Sequence, residues 1–492
     1  MLQQLEFADT VRRQVAPRIA KRRKSELGQF MTPSSTARFM ASLFPPSNLK
    51  SCRLLDAGAG VGALSCAFID RWICGGFGFQ DIQAYAYEID DQLRRHLAEH
   101  LAAYMGVTAH ISGEDFISSS NQVLFHKAVE YTHAILNPPY KKINSQSAHR
   151  HELRELGIET VNLYSAFVAL AVLHAAQGGQ IVAIIPRSFC NGPYYRPFRE
   201  LILRKAALRH IHLFDSRTTA FKDDDVLQEN VIIRLERGGI QGPVTISTST
   251  DDNLSDLESH EYPFNQIVLP DDTEGFIHVP SARDEDVAAF ETPASLHHSL
   301  ADIGVNVSTG PVVDFRLKDY LRQMPGTGTV PLLYPGHFGI NRTEWPIAGG
   351  KKPNAIERNN NTEKWLFPTG HYCVVRRFSS KEEKRRIVAS TVDPDVFGTA
   401  QALGFENHLN VFHENRRGLS KELANGLAVF LNTTVVDKAF RRFNGHTQVN
   451  ATDLKTMKYP SRSALIELGK WALKSGKLTQ QMIDERLGAL LA

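Results

Sequence analysis

The sequence predicts an α/β fold with a Rossmann-like, mostly parallel sheet in its first half. Apolar strands at residues 53–56, 84–88 and 131–136 alternate with helical stretches. A glycine-rich turn begins where the first of these strands ends, and a Pro-Pro pair follows the third. Such alternation produces parallel strands with helices on both faces of the sheet, and ligands of these folds bind at the carboxyl ends of the strands.

The elements between and after these strands continue the pattern. Residues 91–104 carry leucines at helical spacing, which predicts an amphipathic helix. A second helix is predicted over residues 160–176, and the pair Gly178-Gly179 ends it. Residues 181–185 are predicted to form the next strand, which ends on a proline. The first half therefore contains the repeated strand–helix units that a parallel sheet requires.

The second half gives weaker signals. The polar stretch 247–259 is typical of a linker or surface excursion. Periodicity does not decide the fold of residues 300–460, where turn pairs are mixed with aromatic residues, whereas residues 463–492 have a helical pattern. Only the helical end is therefore predicted from the pattern, and the mixed α+β character of the second half is an expectation that comes from the family resemblance given below.

Composition limits the class of protein. A chain of 492 residues is too long for a single core, and 42% hydrophobic with 22% charged residues is typical of a globular protein. Five scattered cysteines predict reduced thiols in a cytoplasmic protein, with neither disulfides nor a zinc site. No apolar run has the length of a membrane span or the pattern of a signal peptide, and no ligand cluster indicates a metal.

Positive charge is concentrated locally. The net charge of +3 is too small to establish a polyanionic partner. Basic residues nevertheless cluster near the N-terminus and again within 376–386 and 416–442. These clusters fit either a positive groove for phosphates or ordinary solvated helix faces.

The glycine-rich turn covers residues 56–62, with the sequence Asp-Ala-Gly-Ala-Gly-Val-Gly. Glycines at such a turn let the backbone bend sharply and approach a ligand closely. The spacing Gly-x-Gly-x-Gly differs from the Gly-x-Gly-x-x-Gly of dinucleotide-binding proteins, which makes an NAD site less favoured without excluding it.

Acidic residues follow the next two strands. Glu88 ends the second strand and can accept hydrogen bonds from both hydroxyls of a ribose, while Asp90 is placed to cap the following helix. Asp115 ends a third strand, where it could accept from an adenine amino group while Phe116 packs on the ring. Taken alone, Asp115 could equally be an ordinary turn residue.

The sharpest motif is Asn137-Pro138-Pro139-Tyr140, directly after the strand 131–136. Consecutive prolines fix the backbone and remove two N–H donors, so that carbonyl groups point outward. The Asn137 side-chain oxygen and the Pro138 carbonyl can then accept from one NH2 group, and the Tyr140 ring can stack on a planar base. A capped Pro-Pro turn is the structural alternative, which the order of the preceding motifs disfavours.

On these residues the chain resembles the gamma-class N6-adenine DNA methyltransferases of type II restriction–modification systems, the group that includes the TaqI and PstI modification enzymes. The resemblance begins at residues 28–33, where Thr32 would meet the methionine end of the cofactor, and it covers nearly the whole chain. The linear order of the motifs, with the Thr-Pro segment first and the recognition region last, is the order of that class.

The resemblance implies S-adenosylmethionine as cofactor and no metal. It implies cofactor contacts from Thr32, Asp56, Ala57, Gly58, Gly60, Glu88, Asp115 and Phe116. It implies catalysis by Asn137, Pro138, Pro139 and Tyr140 on an adenine that is rotated out of the duplex. The segment 214–230 resembles the lining of the flipped-base pocket, with Phe221 as the aromatic partner of Tyr140.

The same resemblance implies a domain organisation. A basic arm covers 1–25, a cofactor-binding catalytic domain 26–240, a connecting segment 241–300, and a DNA target-recognition domain 301–492. Segments 307–316 and 445–454 resemble landmarks of the recognition half. The residues expected near DNA, which could equally be loop-stabilising side chains, are Arg441, Arg442, Asn444, Gln448 and Asn450.

The implied function is site-specific, adenine-specific methylation of double-stranded DNA, which protects it from a separate restriction endonuclease. Relatives of the PstI type suggest a short palindromic target related to CTGCAG. The alternatives are methylation of RNA, of a protein glutamine or of cytosine N4, although cytosine N4 enzymes more often carry Ser at the position of Asn137. A non-catalytic DNA-binding protein is a further alternative that the intact motifs disfavour, and no nuclease cassette stands out in the chain.

Overall fold

The computed structural model describes residues 4–15, 31–125, 129–214, 229–270, 272–280, 296–339, 342–379, 383–444 and 447–491. The chain divides into two compact units, Met1–Glu285 and Asp286–Ala492. Within the described residues, no helix combines the length and apolarity needed to cross a membrane.

The first unit is an α/β unit built on one large sheet. Its helices are α1 Gln4–Val15, α2 Ser34–Ser42, α3 Ala63–Ile73, α4 Asp91–Ala102, α5 Phe116–Phe125, α6 Ala148–Glu155, α7 Leu163–His174, α8 Arg196–Lys205 and α9 Phe264–Ile267. Its strands are β1 Ser51–Ala57, β2 Asp81–Tyr87, β3 Val107–Ser112, β4 Tyr131–Leu136, β5 Ala175–Pro186, β6 Ala206–Phe214, β7 Asn230–Arg237, β8 Val244–Ser249 and β9 Glu258–Tyr262.

The sheet has the strand order β3-β2-β1-β4-β5-β7-β6-β8-β9. Strands β1 to β5 are mutually parallel, β7 is antiparallel to both β5 and β6, and β9 is antiparallel to β8. The predicted mostly parallel Rossmann-like sheet is therefore confirmed. Central strands β4 and β5 are apolar because helices cover both faces of the sheet.

Strand order reverses direction at β1. From β1 the chain proceeds outward through β2 and β3, and it then returns to place β4 on the other side of β1. Strand β1 pairs with β2 along its full length but with β4 only at Leu54 and Leu55. The carboxyl ends of β1 and β4 are thus free to diverge, which leaves a crevice of the kind that holds ligands at such switch points.

Of the predicted linker or surface excursion at residues 247–259, only the middle, 250–257, is a surface turn. The rest of the stretch contains the end of β8 and the start of β9, so the sheet extends into the predicted connecting segment. Two of its serines form hydrogen bonds with a buried histidine on β6. His212 Nδ1 lies 2.8 Å from Ser247 Oγ, and His212 Nε2 lies 3.3 Å from Ser249 Oγ. Side-chain hydrogen bonds here replace the apolar pattern that usually indicates a strand.

The second unit is mixed α+β, as predicted. Its helices are α10 Lys421–Leu431, α11 Thr434–Phe443, α12 Ala451–Thr456, α13 Arg462–Lys474 and α14 Gln480–Leu491. Its strands are β10 Asn306–Thr309, β11 Leu321–Arg322, β12 Thr329–Leu333, β13 Phe338–Gly339, β14 Arg342–Thr343, β15 Ala355–Glu357, β16 Leu366–Pro368, β17 Tyr372–Arg376, β18 Ala389–Val392, β19 Ala402–Phe405 and β20 Leu409–His413. They form sheets ordered β10-β20-β17-β18, β11-β15-β12-β19-β16 and β13-β14.

Helices α10 and α13 meet backbone to backbone through a pair of glycines. A Cβ atom on Gly426 would collide with the carbonyl oxygen of Leu465, and one on Gly469 would collide with the carbonyl oxygen of Glu422. Both neighbours are main-chain atoms inside helices, so neither can move away easily. Only glycine fits at this crossing.

We expect the substitution Gly469→Ala to lower the free energy of unfolding by about 1–3 kcal/mol, since a well-packed interface must open to accept a methyl group. Gly488→Ala is the matched control, because Gly488 lies in α14 with no atom near its Cβ position. Alanine there should be neutral or stabilise by up to about 1 kcal/mol through its higher helix propensity. Denaturant titration of both variants measures the difference, and equal effects would contradict the close crossing.

Candidate active site

One large cavity opens at the carboxyl ends of β1, β2 and β4. Its empty volume is about 1120 Å³, which includes space open to solvent. The residues that line it are Met31, Thr32, Gly58, Ala59, Gly60, Val61, Ala63, Leu64, Tyr87, Glu88, Ile89, Leu93, Glu114, Asp115, Phe116, Asn137, Pro139, Lys141, His149, Leu163 and Phe167. The predicted motifs thus meet at the crevice that the strand order creates.

The glycine-rich turn is held against the end of β2 by its backbone. The N–H groups of Gly58 and Ala59 both donate to the Tyr87 carbonyl oxygen, at 2.9 and 3.0 Å. The Gly60 N–H donates to Glu88 Oε2 at 2.8 Å. Gly58 and Gly60 have φ values of +79° and +57°, in the left-handed region that other residues rarely adopt. The turn therefore requires glycine for its conformation.

Glu88 is a buried carboxylate that organises two loops. Its Oε1 accepts from the Asp90 N–H at 2.8 Å, while Oε2 accepts from Gly60. Burial raises the pKa of Glu88, and these two hydrogen bonds oppose that rise. Each oxygen retains a further lone pair for a ligand hydroxyl. Asp90 caps α4 as predicted, since its side chain accepts from the N–H groups of Gln92 and Leu93.

Asp56 lies beneath the cavity and does not line it. Only 1% of the residue is exposed. Its Oδ2 accepts from the N–H and hydroxyl of Ser65 on α3, at 3.2 and 2.6 Å, whereas Oδ1 has no hydrogen-bond partner among the described residues. Burial raises the pKa of Asp56 to about 7. The side chain ties the end of β1 to α3, and its predicted cofactor contact stays a prediction, as does that of Ala57.

Asp115 and Phe116 form the wall above β3. Asp115 Oδ1 accepts from the N–H groups of Ile117 and Ser118 and lies 3.3 Å from His149 Nε2. Burial acts to raise the pKa of Asp115, but His149 and these N–H groups outweigh it and hold the pKa below its usual range. The Phe116 ring is buried between aromatic side chains, 5.0 Å from Tyr87 and 5.1 Å from Phe167.

Asn137 is fixed by a residue far away in sequence. Its Nδ2 donates to Thr32 Oγ1 at 2.9 Å, and both side chains are buried. Gly58 is close to the same loop, because its Cβ position lies 3.7 Å from Pro139 Cδ. The Thr-Pro segment, the glycine-rich turn and the Asn-Pro-Pro-Tyr loop are therefore in mutual proximity.

Tyr140 lies beside this cavity instead of lining it. Its hydroxyl donates to the Ile184 carbonyl oxygen on β5 at 3.2 Å. Its ring meets Tyr164 edge to face at 6.1 Å, and Tyr164 in turn stacks on Tyr195 at 5.7 Å. The ring is thus braced in one orientation. Phe221, its predicted partner, lies outside the described residues.

The lining contains three carboxylates, Glu88, Glu114 and Asp115, against the ammonium group of Lys141 and the imidazole of His149, whose pKa is raised by its hydrogen bond to Asp115. Such a lining favours a ligand that carries positive charge and disfavours a diphosphate. Among the described residues, no group of three or more His, Cys, Asp or Glu side chains is arranged to hold a metal ion.

Sequence reasoning missed several lining residues. Met31 adjoins Thr32 and could have been inferred from it, whereas Leu93, Leu163 and Phe167 carry only the apolar signal of a helix face. His149 has no motif of its own. Its position follows from tertiary structure, because α6 brings it beside Asp115.

The residues expected near DNA have different environments in the second unit. Asn444 is 1% exposed; its amide nitrogen donates to Gln448 O and Asp453 Oδ2, and its oxygen accepts from Arg386. This saturation favours the loop-stabilising alternative for Asn444.

The other candidates lie nearer the surface. Asn450 begins α12, and its backbone N–H donates to Asp453 Oδ2. Arg441 pairs with Asp437 at 2.7 Å. Arg442 and Gln448 are half-buried, and DNA contact stays a prediction for all of these side chains.

Comparison with known proteins identifies the family. The chain is 53% identical over 502 aligned residues to the type II methyltransferase M.BsuBI of Bacillus subtilis, an alignment that covers 100% of this chain and 99% of that protein. It is 41% identical to the type II methyltransferase M.PstI of Providencia stuartii, covering 97% and 96% of the two chains. The chain belongs to the type II methyltransferases of restriction–modification systems.

Two further comparisons agree with this family. The family model of the Eco57I restriction-modification methylase matches residues 81–221, which include the Asn-Pro-Pro-Tyr loop of this type II methyltransferase. The fold is similar to that of the type IIL restriction-modification enzyme MmeI, with a TM-score of 0.52 at 10% identity, over 93% of this chain and 71% of that one. The fold is thus that of restriction–modification methyltransferases.

The buried carboxyl of Asp56 makes stability depend on pH. Because its folded-state pKa is raised from 3.8 to about 7, the stability linked to its protonated form is complete below about pH 4 and is lost as the pH rises through 7. We expect the free energy of unfolding of the wild type to fall, relative to Asp56→Asn, between pH 4 and pH 7. Urea titrations of both proteins at several pH values measure this, and parallel curves would contradict the assignment.

Proposed function

We propose that this type II methyltransferase transfers a methyl group from S-adenosylmethionine to N6 of an adenine that is rotated out of duplex DNA. The observation that carries the proposal is the bond from Asn137 Nδ2 to Thr32 Oγ1, since it fixes the amide at the junction of the glycine-rich turn and the Asn-Pro-Pro-Tyr loop. With the amide nitrogen directed at Thr32, the amide oxygen is the atom of this side chain that would accept from a substrate NH2 group.

The lining of the cavity supports S-adenosylmethionine as the ligand. Glu88 offers two carboxylate oxygens where a ribose would lie, and Phe116 offers a ring beside Asp115 for an adenine. The acidic lining suits a ligand with a sulfonium and an ammonium group, and the left-handed turn at Gly58 and Gly60 lets the backbone come close to it. When bound, this cofactor supplies an electrophilic methyl group.

The chain's own residues then act on the amino group. The lone pair of adenine N6 is delocalised into the ring, which makes the nitrogen a poor nucleophile. Asn137 and the Pro138 carbonyl would accept its two hydrogens and favour a tetrahedral nitrogen, so they stabilise the transition state more than the ground state. Tyr140, braced by Tyr164, would hold the base. One proton leaves N6 after positive charge develops on that nitrogen.

The remaining parts of the proposal concern partners and organisation. The substrate is double-stranded DNA in the cytoplasm, and modification protects it from a separate restriction endonuclease. Residues 26–240 supply the chemistry and 301–492 read the target sequence, with 241–300 between them. The two full-length relatives, both named type II methyltransferases, support this proposal.

The test is methyl transfer from radiolabelled S-adenosylmethionine to duplex DNA, RNA and protein, followed by nucleoside analysis of the product. We expect label in duplex DNA as N6-methyladenine. N4-methylcytosine as product, or label in RNA or protein alone, would overturn the adenine assignment. Asn137→Ala should lose at least about a hundredfold in kcat, as removal of one transition-state hydrogen bond typically does, while cofactor binding measured by calorimetry persists.

Thr32→Val should lower kcat by about fivefold, because the isosteric side chain cannot accept from Asn137 and a hydrogen bond is worth about 1 kcal/mol. Thr32→Ser is the matched control, since it keeps the hydroxyl and should retain most of the activity. Single-turnover methylation measures the chemical step in each variant. Equal rates for the valine and serine variants would show that this bond does not position Asn137.

A further inference from the structure

Two segments that resemble recognition landmarks, 307–316 and the described part of 445–454, are connected by hydrogen bonds to one turn of the second unit. The turn covers residues 406–408 and joins β19 to β20. From the first segment, Val312 donates to the Phe405 carbonyl at 3.1 Å and accepts from the Asn407 N–H at 2.9 Å. The second segment is connected to the turn through Arg377, which directly follows β17. The Val449 N–H donates to the Arg377 carbonyl oxygen, and the Arg377 N–H donates to the His408 carbonyl oxygen.

At this turn a buried carboxylate orients an exposed imidazole. Glu406 is 0% exposed, whereas 43% of the His408 side chain is exposed. Glu406 Oε2 accepts from the His408 N–H at 2.9 Å, and Oε1 lies 2.6 Å from His408 Nδ1. Nδ1 therefore donates to the carboxylate, which leaves Nε2 as an acceptor in the neutral ring. Among the described residues Nε2 has no partner.

Stability alone does not account for this pair. Burial of a carboxylate costs free energy that an exposed partner recovers only in part, and an apolar pair of similar volume would often be as stable. The arrangement instead fixes the ring and its tautomer, which is what a hydrogen-bonding contact to a ligand requires.

Further side chains extend the surface around the imidazole. The Phe378 ring lies 4.9 Å from the His408 ring and is 39% exposed. Arg377 links the turn to Gln448: its Nη1 donates to the Asn407 carbonyl at 3.2 Å and its Nη2 to Gln448 Oε1 at 3.4 Å. An oriented imidazole, an oriented amide and an aromatic ring thus share one surface, the His408 surface.

We propose that His408 and Gln448 on this surface read base edges in the major groove of the DNA and decide which sequence is methylated. His408 Nε2, an acceptor, suits the exocyclic amino group of adenine or cytosine, and the amide of Gln448 suits adenine N6 and N7. Phe378 offers an apolar contact for a thymine methyl group. Glu406 and Arg377 are positioning residues. The proposal rests on the proposed function, because it requires duplex DNA as substrate.

The test compares His408→Asn with the wild type. Asparagine can still donate to Glu406 in place of Nδ1, but it has no atom at the position of Nε2, so a structural role would survive the change and a reading role would not. His371→Asn is the matched control, since His371 is a half-buried histidine of the same unit away from this turn. Thermal melting of each variant reports whether the fold is intact.

Single-molecule sequencing of plasmid DNA methylated by the wild type first gives the target. Methylation rates are then measured on duplexes that carry this target or one substituted base pair. We expect His408→Asn to reduce discrimination at one base pair by about tenfold, within the range that one mismatched pair contributes, and His371→Asn to leave it unchanged. Glu406→Gln should give a smaller loss at the same base pair.

The outcomes distinguish a failure of the proposed function from a failure of the reading role of His408. If the wild type does not methylate duplex DNA, the proposed function fails. If it does, and His408→Asn keeps the same discrimination at every position, the reading role of His408 is overturned while the proposed function stands. Should His408→Asn lower the melting temperature markedly, Gln448→Ala takes its place, with reduced discrimination at a single base pair again the expected result and unchanged discrimination again the refutation.

Discussion

The attachment of the glycine-rich turn to the end of β2 is the constraint on which the rest of the site depends. Three successive backbone N–H groups, of Gly58, Ala59 and Gly60, are directed at the Tyr87 carbonyl and the Glu88 carboxylate. These bonds fix the turn to the end of β2, and on its other side Gly58 lies against the Asn-Pro-Pro-Tyr loop that follows β4. The same attachment positions Glu88 at the cavity, so these hydrogen bonds both shape the cavity and orient its carboxylate.

The opposite side of the crevice depends on contacts between distant parts of the chain. Thr32 holds the Asn137 amide, Ile184 holds the Tyr140 hydroxyl and Tyr164 supports the Tyr140 ring. None of these contacts is local in sequence, yet together they fix both ends of one tetrapeptide. The loop proposed to bind the base is therefore held in place by tertiary contacts, as a site in which positioning supplies much of the rate would require.

The sequence predicted the parallel sheet and its ligand-binding edge because strand period, glycine spacing and the Pro-Pro pair are local signals. It missed β8 and β9, since Ser247 and Ser249 are polar and only the pairing of β8 with β6 and β9 shows them to be strand residues. It missed His149 for a similar reason: only the position of α6 brings it beside Asp115. In the second unit, the sequence is compatible with Asn444 as a surface residue, but the structure buries it. No sequence motif marks His408, whose contact with Glu406 is visible only in the structure.

The glycine pair that joins α10 to α13 has an evolutionary consequence. In the genetic code every glycine codon is one nucleotide from an alanine codon, so a single-nucleotide change at Gly426 or Gly469 is enough to place a methyl group against a helix carbonyl. Purifying selection must act at these two codons even though neither side chain takes part in chemistry. The exposed His408 side chain is under no such steric restriction, so the chain can change at this position without disturbing the crossing of α10 and α13.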